Sequence, residues 1–247
     1  MNDLREQTGA LCSCCGEALD LDGLRFTQQF ENNNVLCTPC RMVPPEFERA
    51  AAWGVYSDGM REAIHLLKYE RVEGAAKPLG ELLARVIETM YTAGMGRDLA
   101  VVAVPLSATK QRRRGYNQSV LLADEAMRKL RRREEWQLKI AHEAMIRVRE
   151  TESQFGLSTH ARRRNLRGAF EVIDPAVVNG REILLIDDIY TTGATARECA
   201  RVLRRAGATK VWVATVARAQ REMVASWDRG AEAAAGWNLD RQIRRMD

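Results

Sequence analysis

Apolar residues follow two alternating patterns along most of this chain. Nearly continuous apolar runs, typical of strands buried on both faces, predict strands at 51–57, 99–105, 179–188 and 210–217. Apolar residues spaced three and four apart predict helices at 58–70, 79–91, 117–132 and 194–206. Two shorter strands, 144–149 and 169–174, flank a basic segment. This alternation predicts an α/β fold, a mostly parallel sheet with helices on both faces.

The chain divides at a proline-rich break with the sequence MVPPEF, residues 42–47. We predict a small N-terminal module at 1–45, the α/β domain at 46–220, and a C-terminal tail at 221–247 whose weak patterning is compatible with a mobile segment. No apolar run approaches the ~20 residues of a membrane span. The N-terminus lacks the basic and then apolar pattern of an export signal. We therefore expect a cytoplasmic protein that does not insert into membranes.

Five of the six cysteines lie in the first 40 residues. Four of them form two Cys-x-x-Cys pairs separated by 21 residues, namely Cys12 with Cys15 and Cys37 with Cys40. Such pairs offer a tetrahedral set of thiolates that binds zinc and leaves no open coordination position. Cys14 could replace a member of the first pair, but the spacing and the following Gly16 favour the four named. We predict a structural zinc ion in a zinc-ribbon-like module that is too small to fold on apolar packing alone.

The strand at 179–188 ends in two adjacent acids, Asp187 and Asp188, and a loop of small residues follows. The loop comprises Thr191, Thr192, Gly193, Ala194 and Thr195. A small-residue loop at the start of a helix presents backbone N–H groups that bind phosphate. Adjacent carboxylates instead suit the hydroxyl groups of a ribose. The motif therefore fits a ribose 5-phosphate, and the absence of a lysine after the glycine excludes a Walker phosphate loop.

Two acids, two variable residues and Thr-Thr-Gly-Ala-Thr resemble the fingerprint of type I phosphoribosyltransferases. Together with the cysteine module, LLKYE at 66–70, RGYNQ at 114–118 and the segment 146–170, the motif resembles the ComF family, and within it the ComFC-like competence proteins. The resemblance implies a phosphoribosyltransferase-type fold that binds phosphoribosyl diphosphate with Mg²⁺. It also implies that Asp187 and Asp188 face the ribose hydroxyls, that residues 191–195 hold the 5′-phosphate, and that the protein acts in uptake of single-stranded DNA during natural transformation.

Positive charge is concentrated in the middle of the chain. Residues 101–170 contain sixteen Lys or Arg against seven Asp or Glu, whereas the whole chain carries a net charge of only +5. Such an excess indicates an anionic partner. The candidates for contact with pyrophosphate or single-stranded DNA are Lys68, Lys110, Arg112, Arg113, Arg114 and Tyr116, the last as a stacking surface. Further basic clusters are Arg162 to Arg164, and Arg147 with Arg149.

Three functions remain open from the sequence. The first is a competence protein that binds phosphoribosyl diphosphate and engages single-stranded DNA or a DNA-uptake helicase. The second is an active phosphoribosyltransferase with an unidentified acceptor, and the third is a structural adaptor that has lost the ligand. In several purine enzymes of this type an acid acts as the base where this chain has Thr191, which cannot do so at neutral pH. The threonine disfavours purine salvage, and we assign no catalytic residue.

Overall fold

The computed structural model describes residues 4–19, 35–70, 72–132, 136–151 and 159–220. The predicted tail at 221–247 lies outside these residues, as does the middle of the predicted N-terminal module, 20–34.

Five strands form one parallel sheet with the order β1-β7-β6-β2-β3. They are β1 (Arg49–Val55), β2 (Asp98–Ala103), β3 (Gln137–Ile140), β6 (Glu182–Tyr190) and β7 (Lys210–Arg218). Two further strands, β4 (Met145–Arg147) and β5 (Phe170–Val172), pair with each other in antiparallel fashion. The helices are α1 (Thr38–Met42), α2 (Asp58–Tyr69), α3 (Ala76–Thr92), α4 (Ala108–Arg114), α5 (Gln118–Leu130), α6 (Thr159–Leu166) and α7 (Ala194–Arg205). The predicted α/β class is confirmed.

Side chains of the central strands alternate between two apolar cores, one on each face of the sheet. On β6, Ile183 and Leu185 point into the first core, whereas Leu184 and Ile186 point into the second. The first core contains α7 and the cysteines of the N-terminal module. The second contains α2, α3 and α5. Because both faces are covered, the strands are apolar along nearly their whole length, as predicted.

The sequence patterns missed four of these elements, namely α1, β3, α4 and α6. Only one of the four residues of β3 is buried, so this edge strand has no apolar run to reveal it. Helix α4 has the polar sequence ATKQRRR and begins at Ser107, whose side chain accepts a hydrogen bond from the Lys110 backbone N–H. Strand β6 continues to Tyr190, two residues beyond the acid pair. The acids therefore lie within the strand, which ends two residues later than predicted.

The N-terminal residues extend the sheet beyond β1. Glu6 and Gly54 form an antiparallel bridge, and the Val55 backbone N–H donates to the Arg5 carbonyl at 3.0 Å. A Cβ atom at position 54 would collide with that carbonyl, so the close approach requires glycine. Among the helices of the described ranges, none is long and apolar enough to cross a membrane.

Candidate functional site

The acid pair lies near the carboxyl end of β6, the edge at which parallel sheets bind ligands. The Asp187 carboxylate accepts a hydrogen bond from the Ser119 hydroxyl, at 3.0 Å, and another from the Asp188 backbone N–H, at 2.9 Å. Asp188 accepts from the Ile189 backbone N–H at 3.0 Å and is 4% exposed. Ser119 lies in the first turn of α5, whose packing against β6 fixes the Asp187 side chain.

Lys68, in the last turn of α2, forms an ion pair with Asp188, with the ammonium 2.5 Å from Oδ2. Burial is the largest single influence and would lower the pKa of Lys68, but the attraction and hydrogen bond of Asp188, together with the attraction of Asp187, raise the pKa above its ordinary value. Burial, and then repulsion from the Asp188 carboxylate, raise the pKa of Asp187 to about 7. At neutral pH the acid pair with its lysine therefore carries less negative charge than two free carboxylates would.

The small-residue loop joins β6 to α7 as predicted. Gly193 has φ +75° and begins α7, in a conformation that favours glycine, and a side chain there would also collide with the ring of Tyr190. The Thr192 hydroxyl oxygen is buried and has no hydrogen-bond partner among the described residues. Asp187, the loop residues Thr191 and Gly193, and Ala194 and Thr195 at the start of α7 line one small cleft with a volume of about 20 Å³. The loop therefore has the features of an anion site beside the acid pair.

The structure separates the predicted basic residues into two groups. Arg112 and Arg113 are exposed on α4. Arg114 is 8% exposed and donates to the Gln118 side chain at 2.7 Å, which makes it part of the packing between α4 and α5. Lys110, which is also exposed on α4, lies close enough to Arg147 and Arg114 that partial desolvation and then these cations lower its pKa. Arg147 in turn is close enough to Asp187 for the carboxylate to affect its pKa, so positive charge lies beside the acid pair.

Tyr116 has a role inside the fold. Its hydroxyl donates a hydrogen bond to the Leu67 carbonyl, so it connects the turn after α4 to the last turn of α2. Because its ring is partly buried in the second core, the stacking surface that the sequence suggested is reduced. Arg149 is likewise used internally, since its guanidinium donates to the Asn165 and Arg167 carbonyls at 2.7 and 2.9 Å.

The four predicted cysteine ligands come together. The sulfur atoms of Cys12, Cys15, Cys37 and Cys40 all lie within 4.8 Å of one another, and each residue is at most 4% exposed. Four thiolates at ~2.3 Å from a zinc ion in a tetrahedron would be about 3.8 Å apart, and Cys15 and Cys37 are separated by 3.6 Å. The residues fit a zinc ion, and Cys14 lies outside the set.

Two arginines connect the cysteine cluster to the loop. Arg197, in the first turn of α7, donates to the Val43 carbonyl at 2.7 Å and lies 3.8 Å from the Cys40 sulfur. Arg218, at the end of β7, pairs with Glu17 at 2.5 Å, donates to the Cys15 carbonyl and covers the Tyr190 ring at 4.4 Å. Tyr190 directly precedes the loop, so Arg218 connects the cysteine module to the start of the loop.

Sequence reasoning missed Ser119, Glu17, Arg197 and Arg218. Their partners lie between 68 and 203 positions away along the chain, and no local pattern marks such pairs. The weak signal for Arg218 is a charged residue at the end of an otherwise apolar strand, which is costly unless the charge is paired. Cys199, the sixth cysteine, is fully buried in the core and lies outside the cluster of four.

The fold and the site thus define a parallel α/β protein with a cysteine module and an acid pair beside a phosphate-type loop. Similar proteins include DNA utilization protein YhgH of Escherichia coli K12, 34% identical over 207 residues that cover 82% of this chain and 88% of that protein. Competence protein F of Haemophilus influenzae is 30% identical over 74% of this chain and 78% of that protein. Competence protein ComFC of Bacillus subtilis is 24% identical over 83% and 75%. The chain belongs to the ComF family, as the sequence motifs indicated.

Comparisons with family models and with solved structures do not extend this assignment. A scan against family models found no match. The solved hypoxanthine-guanine phosphoribosyltransferase of Schistosoma mansoni is 17% identical over 60% of this chain and 65% of that one, with a TM-score of 0.35. A TM-score this low supports no inference about function.

Proposed function

We propose that this protein binds phosphoribosyl diphosphate at the acid pair and the adjacent loop, and that it acts in the handling of single-stranded DNA during natural transformation. The observation that carries the first part is that Asp187 and the loop residues line one cleft at the carboxyl end of β6. The ribose hydroxyls would donate to the carboxylates. The 5′-phosphate would accept from the loop N–H groups and from the buried Thr192 hydroxyl, which lacks a partner among the described residues.

The pyrophosphate of such a ligand would meet the positive charges of Lys110 and Arg147, which lie close enough that the charge of Arg147 lowers the pKa of Lys110. Mg²⁺ binds readily to substrate phosphates, so it would accompany the pyrophosphate of the ligand. The structural zinc ion would be held by Cys12, Cys15, Cys37 and Cys40 and would cross-link the module that supports Tyr190. Both ions are part of the proposal.

The second part rests on the names of the relatives, which refer to DNA utilization and competence, and on the exposed cations of α4. The side chains of Arg112 and Arg113 are exposed to solvent, where the phosphates of a nucleic acid could approach them. Arg114 is excluded from this role because it is buried against Gln118.

Titration calorimetry with phosphoribosyl diphosphate and Mg²⁺ tests the ligand site. We expect binding by the wild type and loss of most of it in the isosteric double variant Asp187→Asn/Asp188→Asn, because neutral amides cannot accept two charge-assisted hydrogen bonds. Asp98→Asn, an exposed acid at the start of β2, is the matched control and should bind as the wild type does. Equal affinity of the double variant and the wild type would contradict the assigned ribose contact.

A separate titration with labelled single-stranded DNA tests the basic surface. The variant Arg112→Ala/Arg113→Ala should bind more weakly and with a shallower salt dependence, by a slope of about 0.7 for each phosphate that the protein no longer neutralises. The control Lys129→Ala/Arg132→Ala removes the same charge from exposed side chains in the last turn of α5 and in the turn that follows it. If both variants lose affinity to the same extent, net charge and not the α4 surface determines binding.

A further inference from the structure

Lys68 places a positive charge at the acid pair. This charge neutralises a carboxylate that a metal ion would otherwise have to neutralise. Its ammonium lies 2.5 Å from Oδ2 of Asp188, and its side chain is only 18% exposed. The two residues are 120 positions apart in the chain, so the fold and not local sequence brings them together. This contact differs from a surface salt bridge, because one partner is almost completely buried.

The position of Lys68 is fixed by its neighbours. The Tyr116 hydroxyl donates to the carbonyl of Leu67, the residue before it. On the other side, the Arg114 guanidinium stacks over the Tyr69 ring at 5.1 Å. The C-terminal end of α2, with its partial negative charge, also favours a cation in the last turn. The lysine is thus anchored at the acid pair before any ligand binds.

Both oxygens of Asp188 have partners within the protein. Oδ2 pairs with Lys68, and Oδ1 accepts the Ile189 backbone N–H at 3.0 Å. Mg²⁺ requires near-octahedral oxygen ligands at about 2.0–2.1 Å. An ammonium group so close to Oδ2 would occupy that space and repel the ion. Direct ligation of Mg²⁺ by Asp188 would therefore require Lys68 to move away from a buried carboxylate, which is costly.

We propose that Lys68 is a built-in cation of the ligand site, which neutralises Asp188 so that the acid pair recognises a ribose 5-phosphate group without a metal ion on its carboxylates. This inference rests on the proposed function, since it describes how that same site recognises its ligand. Mg²⁺ that accompanies phosphoribosyl diphosphate then belongs to the pyrophosphate end. Lys68 is a positioning residue, because it acts through Asp188.

Charge balance explains why a cation is needed. Two adjacent carboxylates repel each other and repel the approaching phosphate, and in a partly buried cleft this repulsion is weakly screened. If the lysine charge were removed, a divalent cation could take its place between the carboxylates and restore the balance. The metal dependence of binding therefore separates this role from a simple packing role.

The test is calorimetry with ribose 5-phosphate as the probe, with and without millimolar Mg²⁺. This probe lacks the pyrophosphate, so a metal effect on it reports the acid pair. The wild type should bind equally well in both conditions. Lys68→Met should lose about tenfold in affinity without Mg²⁺, about 1.4 kcal/mol, and regain most of it with Mg²⁺. Lys68→Arg, which keeps the charge, should remain independent of Mg²⁺.

Controls separate the outcomes. Lys77→Met makes the same substitution at an exposed lysine of α3 and should behave as the wild type does. If Lys68→Met does not fold, Lys68→Gln gives the same test with a polar side chain. If Lys68→Met or Lys68→Gln bound as tightly as the wild type in both conditions, or if the wild type required Mg²⁺, the inference alone would be overturned. If the wild type bound neither ribose 5-phosphate nor phosphoribosyl diphosphate, the proposed function would fall and the inference with it.

Discussion

Replacement of Arg218 by methionine should destabilise the protein strongly, although the residue lies at the last position of a strand. Arg218 is 3% exposed, and its guanidinium pairs with Glu17, which is 5% exposed. The same group donates to the Cys15 carbonyl and lies 4.4 Å from the Tyr190 ring centroid. Methionine fills much of the same volume but supplies neither the charge nor the donors.

The expected loss follows from the burial of both partners. Removing one partner of a buried ion pair leaves an uncompensated charge and costs about 3–5 kcal/mol. For a protein of this size, 1 kcal/mol shifts the melting temperature by about 2–4 °C, so the variant should melt about 6–20 °C lower. Arg181 provides the matched control, because its pair with Asp98 spans 3.7 Å between side chains that are 40% and 68% exposed. Arg181→Met should cost at most about 1 kcal/mol.

The measurements are denaturant unfolding and differential scanning calorimetry of the two variants beside the wild type. The double variant Arg218→Met/Glu17→Gln should recover part of the loss, because it removes the unpaired carboxylate together with the arginine. If Arg218→Met melted within a degree or so of Arg181→Met, the buried pair would contribute no more than an exposed one. The assigned attachment of the cysteine module to the loop would then be wrong.

Three further predictions concern the metal, the acid pair and the loop. Cys37→Ser should lower the zinc content measured by atomic absorption, whereas Cys14→Ser, outside the set of four, should retain the wild-type content. Asp187 has a folded-state pKa raised from 3.8 to about 7, so its contribution to stability is complete at low pH and is lost as pH rises through this range. As the pH rises towards 7, the free energy of unfolding should therefore fall more steeply for the wild type than for Asp187→Asn, by up to about 1.4 kcal/mol per pH unit. Equal slopes for the two proteins would contradict the raised pKa. Gly193→Ala should lower both stability, by about 1–2 kcal/mol or more, and ligand affinity, because the residue has φ +75° and contacts the Tyr190 ring. An unchanged melting temperature in that variant would refute this reading of the loop.

The parts of the site that the sequence predicted are those formed by neighbours in the chain. Asp187 and Asp188 with the loop 191–195 form one continuous segment between a strand and a helix, so their mutual placement follows from local structure. The convergence of the two Cys-x-x-Cys pairs was also predictable, because a structural zinc ion needs four ligands and each pair supplies two thiolates. The partner of Asp188 was not predictable in this way. Lys68 was expected to contact a ligand, and only the packing of α2 places it on the carboxylate.

The sequence by itself determined most of the long strands and helices, the class of fold, the four cysteines that converge and the segment that forms the loop. These features depend on periodicity and on residues within a few positions of each other. The tertiary structure alone decided how the buried charges are paired: Lys68 with Asp188, and Arg218 with Glu17. The physical reason is that the stability of a buried charge depends on the distance and burial of its partner. These pairs are 120 and 201 positions apart along the chain, so both quantities are set only when distant elements pack.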